Sequence, residues 1–158
     1  MKKILKIIAI TLLVLLSLSC QQKEKPQPSI KVYPNVEVSY IDYAIMNEIN
    51  IVRLENNCDL LTFKQELTNV AATHSNWMAT NEKMDHHYYT ERQKHFPEQL
   101  LGEVIAFNFR TANATVQAWL KSPKHREVML SKKYNYFGVA TAYNAQNRPY
   151  VTALFLTK

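Results

Sequence analysis

The stretch AWLKSPKHREVML, residues 118–130, holds the residues best placed to do chemistry. Ser122 is a good helix N-cap and Pro123 is the favoured first helical residue. A helix is therefore expected to start at Pro123, with His125 in its first turn. Free N–H groups and the positive end of the helix dipole disfavour protonation there. A neutral imidazole is the form that a metal ligand or a general base requires. The plainer reading of the same spacing is a solvated surface histidine.

Four other histidines are available: His74, His86, His87 and His95. The last three fall in EKMDHHYYTERQKHFPEQ, a polar and aromatic segment that reads as a loop with at most a turn of helix. Site residues concentrate on such loops. His74 instead lies inside the apolar face of a helix. It reads either as a ligand pointing into a site or as a core histidine held by a backbone hydrogen bond. No serine or cysteine is paired with a base by a recognisable motif, and there is no HExxH.

The elements that must position these groups follow from periodicity. Ile41, Ile45, Ile49 and Val52 form an apolar stripe over Ile41–Arg53, and Asn56-Asn57 ends it. A second helix carries Phe63, Leu67, Val70, Ala71, His74 and Met78 on one face, with Thr62 as its expected cap and Asn81 as its end. VIAFNF, within LLGEVIAFNF, is apolar but undecided between strand and helix. A third helix spans Ala112–Lys121, burying Val116, Trp119 and Leu120. YFGVATAY and RPYVTALFLT have strand composition, with NAQN (144–147) as the hairpin turn. Helices followed by a hairpin imply an α+β fold, a sheet with helices packed on it.

The amino end is of another kind. Lys2, Lys3 and Lys6 precede a twelve-residue apolar run, Ile7–Leu18, and then Ser19-Cys20. The run is short of the roughly 20 residues that span a bilayer. Basic, apolar and small-residue zones in this order read as a secretory leader. Cys20 resembles the lipidated cysteine of bacterial lipoproteins, although Ser17 stands where a leucine is usual; ordinary cleavage near Ser19 is the alternative. On this reading residues 1–19 are a lipoprotein signal peptide and residues 20–39 a flexible tether carrying Pro26, Pro28 and Pro34. Residues 40–158 are then one domain large enough to bury a core.

With Cys20 lipidated, Cys58 has no disulfide partner and reads as a small buried residue. Formal charge is +6, and three of the lysines belong to the leader, leaving +3. That is too modest, and too scattered, for nucleic acid.

A resemblance sharpens the picture. WLKSPKHREVML resembles the Trp-x-x-Ser-Pro-x-His-Arg-x-x-x-Leu signature of the CAP superfamily, the SCP/PR-1-like proteins. Further pieces occur in family order. MNEINIVR, with Asn47 and Arg53, resembles the first helix. LTNVAATHSNWMATNEKMDHH resembles a helix and a loop ending in histidine. LLGEVIA resembles the Gly-Glu-Asn motif, and YFGVATAYNAQNRPYVTALF the closing hairpin. The match covers about Tyr43–Phe155.

The resemblance implies a three-layer α-β-α sandwich with a cleft holding two histidines and acidic residues, where some members bind divalent metal. Residue by residue it points to His86, Glu103 and His125, with His87 as the alternative if the loop shifts by one. Two imidazoles and a carboxylate suit Zn²⁺ or another divalent ion with an open fourth position. His86 and His125 are 39 positions apart, so only the fold can pair them. Arg92 resembles the family's loop arginine, or is a solvated charge.

This sequence departs from the pattern at two places. Val104 replaces the asparagine after Glu103, and Ser122 stands where a second acid is usual. The implied function is that of an extracytoplasmic lipoprotein exported across the inner membrane and held at the bacterial cell envelope through Cys20. Its cleft would bind a lipid, a wall component or a partner. A metal-assisted hydrolase working in the same cleft is the alternative.

Overall fold

A computed structural model describes residues 37–158. The leader, Cys20 and all but the last three residues of the tether lie outside the described residues. Helix α1 (Tyr40–Glu55) begins where Ser39 accepts from the Asp42 N–H and donates to the Asp42 carboxylate. It buries Ile45, Ile49 and Val52 of the stripe read from the sequence, with Met46 added, while Ile41 at its start is only partly buried. The Asn56-Asn57 pair ends it, with Asn57 in the left-handed region that asparagine tolerates.

Thr62 is not a helix cap. Thr62–Phe63 forms a short strand, β1, and α2 (Gln65–Asn81) starts behind Lys64 without a side-chain cap. The apolar Phe63 that suggested an earlier helical turn is buried by pairing with a distant strand. A short helix α3 (Tyr89–Gln93) lies within the histidine-bearing segment. The undecided apolar stretch is a strand, β2 (Leu101–Phe107). Its first six residues are all buried because both of its faces are covered, so no alternation was there to be read.

Helix α4 (Ala112–Lys121) is capped by Thr111, whose hydroxyl accepts from the Ala114 N–H. Helix α5 (Pro123–Met129) starts at proline as expected, but the Ser122 hydroxyl makes no capping bond. Strands β3 (Tyr136–Tyr143) and β4 (Pro149–Leu156) form the closing hairpin. Asn144 organises its turn by accepting from the Gln146 and Arg148 N–H groups.

The four strands lie in the order β1-β3-β4-β2. β1 runs parallel to β3, and the other pairs are antiparallel. Helices α1, α4 and α5 cover one face of the sheet and α2 the other, giving the α+β three-layer sandwich. Two close approaches set the layer spacing. A Cβ on Gly138 would lie 2.7 Å from the Leu67 carbonyl carbon, so this glycine lets α2 rest on β3. A Cβ on Gly102 would lie 2.7 Å from the Tyr134 ring, so this one lets Tyr134 and Val128 press against β2. The second contact draws α5, and with it His125, toward the edge strand.

Candidate functional site

Edge strand β2 supplies the centre of the site. Glu103 sits among residues that point to the α2 face, and its side chain is almost wholly buried. An ionised carboxylate in that setting needs a counter-charge and hydrogen bonds. Arg92, at the end of α3, provides both. Its Nε donates to Glu103 Oε2 at 2.6 Å and its Nη2 to Oε1 at 2.8 Å, a two-pronged pair. Nη1 donates to the His87 carbonyl at 2.6 Å, tying the loop to the same cation.

The Glu103 Oε1 atom also accepts from His86 Nδ1 at 2.7 Å. Burial pushes the Glu103 carboxyl up. The His86 bond and the Arg92 guanidinium outweigh it and hold the group below its ordinary value. The carboxylate can only accept, so Nδ1 of His86 carries a proton and Nε2 is the ring nitrogen left facing away from Glu103.

His125 faces this ring from α5, on the opposite side of the sheet edge. The ring centroids are 6.5 Å apart, with planes tilted by 58°. Burial and then the neighbouring His86 push His125 below its ordinary value, and the helix start adds an effect of the same sign. The chain thus brings together all three residues that the resemblance pointed to. The one-residue alternative separates cleanly: His87 is not in the pair but stacks on Trp77, with centroids 4.6 Å apart and planes 19° off parallel.

His74 is the core histidine of the plainer reading. Its Nε2 donates to the Asp85 carbonyl at 2.9 Å, which anchors the loop one residue before His86. The same atom lies 4.0 Å from Glu103 Oε1. Burial, then the charge of Arg92, keeps its pKa down. Arg92 itself is no solvated charge but the buried partner of Glu103. One signal was available for it: Arg92 is the only arginine in the segment between α2 and β2, and a buried Glu103 would demand one. Cys58 is buried, with Sγ 3.2 Å from the Leu130 carbonyl oxygen. Val104 is fully buried in the apolar layer under α1 and α4.

The donor set bears directly on a metal. Both carboxylate oxygens of Glu103 are engaged within the protein, so Glu103 orients His86 rather than standing as a third ligand. Among the described residues, no group of three or more His, Cys, Asp and Glu side chains is arranged to hold a metal ion. The two imidazoles suit such an ion chemically. At a Zn–N distance of about 2.0–2.1 Å their centroids would lie roughly 5 Å apart in a tetrahedral site, so the half-exposed His86 would have to move inward.

The fold and this site define a class. Residues 46–155 match the CAP model, the cysteine-rich secretory protein family, and the chain belongs to that family. It is 29% identical over 121 residues to the uncharacterized membrane protein YlbC of Bacillus subtilis (strain 168), a match covering 72% of the chain. The chain spans about a third of that curated relative, since the match covers 34% of it.

Among solved structures it resembles an outer surface protein from Borrelia burgdorferi, with a TM-score of 0.66 and 22% identity. That match covers 72% of this chain and 90% of the other. It also resembles an extracellular protein containing a SCP domain from Bacillus anthracis str. Ames, with a TM-score of 0.62 and 29% identity. Here the coverage is 72% and 39%. These relatives are proteins of the cell exterior or a membrane. No helix among the described residues is long and apolar enough to cross a bilayer.

Proposed function

We propose that the chain is a cell-envelope lipoprotein, anchored through Cys20, whose domain is a binding module. Its ligand cleft is built on His86 and His125, with Glu103 and Arg92 as the buried pair that sets the His86 ring. The observation that carries this reading is the state of Glu103. Its two oxygens are taken by Arg92 and His86, so it is not free to act as a base. Among the described residues, no serine hydroxyl or cysteine thiol is hydrogen-bonded to His86 or His125, which leaves no activated nucleophile of the usual kind. The imidazoles remain as a polar recognition pair.

A divalent cation bound between them would supply a fixed positive charge for an anionic or carbonyl group of the ligand. His86 would enter through Nε2, the nitrogen left free by Glu103, and His125 through whichever nitrogen faces it.

Titrating Zn²⁺ into the protein and following the histidine ring signals by NMR tests the cleft. The expected result is joint movement of His86 and His125, with His74, His87 and His95 unaffected. Movement of one ring alone removes the shared site. Turnover of peptide, ester or glycan substrates that is lost both with chelator and in His125→Ala would replace the binding module by the hydrolase. For the anchor, incorporation of labelled fatty acid that is lost in Cys20→Ala is the expected result.

A further inference from the structure

The ligand of this cleft can be read from the hydrogen bonds that β2 does not make. The Asn108 N–H donates to the Pro149 carbonyl, and the Thr157 N–H to the Leu100 carbonyl. In the β2–β4 register these bonds put the even-numbered residues of β2 in the ladder and turn the odd-numbered ones to the outer edge. An edge strand of this length normally invites another chain, and proteins blunt it with caps.

Here the caps are individual side chains. Gln93 accepts from the Leu101 N–H, and Tyr89 donates to the Leu101 carbonyl at 2.5 Å. Trp119 Nε1 donates to the Ile105 carbonyl at 2.8 Å. Between the caps, the Glu103 N–H, the Glu103 C=O and the Ile105 N–H have no partner among the described residues, and neither do the N–H and C=O of Phe107. These groups lie on the strand that carries Glu103 to the His86–His125 pair.

The edge also floors a hollow of about 290 Å³, lined by Ile105 and Phe107 together with Met84, Phe109, Trp119 and His125. Met84 and Phe109 are 50% and 37% exposed. A hollow of this size stands at the small end of ligand sites and has room for an apolar side chain. An acyl chain would fill it but would cover the edge amides without pairing them, which is costly. A peptide main chain pairs them. The Glu103 C=O and the Ile105 N–H are the acceptor and donor that a parallel strand presents to the N–H and C=O of a single residue.

We infer that the cleft takes an extended peptide segment, clamped by its main chain at Glu103 and Ile105. An apolar side chain of the segment lies in the Met84–Phe109 hollow, and an adjoining carbonyl or carboxylate faces the imidazole pair. The inference rests on the binding role proposed above and names the ligand class for it.

The test uses the ¹⁵N-labelled full chain and a pool of capped tripeptides, acetyl-Ala-X-Ala-amide, with X each of the twenty amino acids. The Glu103 and Ile105 amide signals are expected to shift with apolar X. N-methylation of residue X, which removes the donor to the Glu103 carbonyl, is expected to weaken binding by about tenfold. Phe109→Ala is expected to erase the preference for apolar X. Equal binding of the N-methylated peptide overturns the inference. So does a shift of the same amides by octanoate and not by the pool, which would make the ligand an acyl chain. So does a shift with protein concentration alone, which would make the occupant a second copy. If zinc moves both imidazoles while the pool moves neither amide, the cleft stands and the peptide falls. If neither probe acts, both readings fall.

Discussion

The two faces of the sheet are built on different principles. Under α1, α4 and α5 the strands present Val104, Ala106, Phe137, Val139, Val151, Ala153 and Phe155, a continuous apolar layer. Under α2 the apolar contacts fall into two smaller groups. That face also buries polar side chains: Ser75 donates to the Ala140 carbonyl and accepts from the Thr152 hydroxyl, and His74 and Arg92 lie against the Glu103 carboxylate. The strand layer of the first face works by non-directional burial at roughly 25 cal/mol per Å², while the buried Asn50 and Arg53 of α1 bond backbone carbonyls away from the strands. The second depends on each polar group finding its partner, and fixes a particular geometry in return. The site stands on the second.

Substitutions can break that contrast, and the largest effect is expected at Arg92. Arg92→Met leaves Glu103 as a buried charge that has lost its guanidinium partner, which should cost about 3–5 kcal/mol. Adding Glu103→Leu should recover most of the loss, because an apolar pair replaces a charged one. Denaturant unfolding of both variants measures this. If the single variant loses no more than an apolar-layer substitution does, the polar face has no special standing.

Acid should act on the same face in two stages. His74 and His125 have folded pKa values below the ordinary 6.5, so the unfolded chain binds their protons first, and stability should fall as pH drops below 6.5. Glu103 is held below its ordinary 4.5, so its contribution is present above 4.5 and is lost as pH falls through the lower folded value. Unfolding midpoints between pH 8 and pH 3 should show both stages, and His74→Gln should weaken the first. A single stage confined to the region below 4.5 would show that the histidines are not coupled to folding.

The apolar face should respond more mildly and without regard to pH. Ile49→Val, at a fully buried position of α1, should cost about 0.5–1.5 kcal/mol at every pH. The smallest change is expected at Ser122. Losing a working N-cap costs about 1 kcal/mol, but the Ser122 hydroxyl makes no capping bond. Ser122→Ala should therefore stay within about 0.5 kcal/mol, and a larger loss would mean that the hydroxyl acts where no bond is seen.

The sequence by itself determined what depends on short range. The 3.6-residue stripe of α1 gave that helix to within two residues at either end. The Ser-Pro break gave the start of α5 and put His125 in its first turn, since a proline's fixed φ and missing N–H act locally. Strand composition gave the closing hairpin. Where both faces of an element are buried, periodicity carries no information, and β2 stayed undecided for that reason. Thr62–Phe63 misled because two apolar-edge residues pair with a strand more than 70 positions away.

The site was legible only in part. Its three residues came from the resemblance, and their grouping could not come from spacing, since His86 and His125 are 39 positions apart. Tertiary structure alone decided that Glu103 spends both oxygens on Arg92 and His86, that His87 turns away to Trp77, and that β2 leaves amides unpaired beside the imidazoles. Each depends on where an edge strand ends up relative to two helices and a loop, and buried charge and unpaired backbone acquire their energies only once those layers have closed.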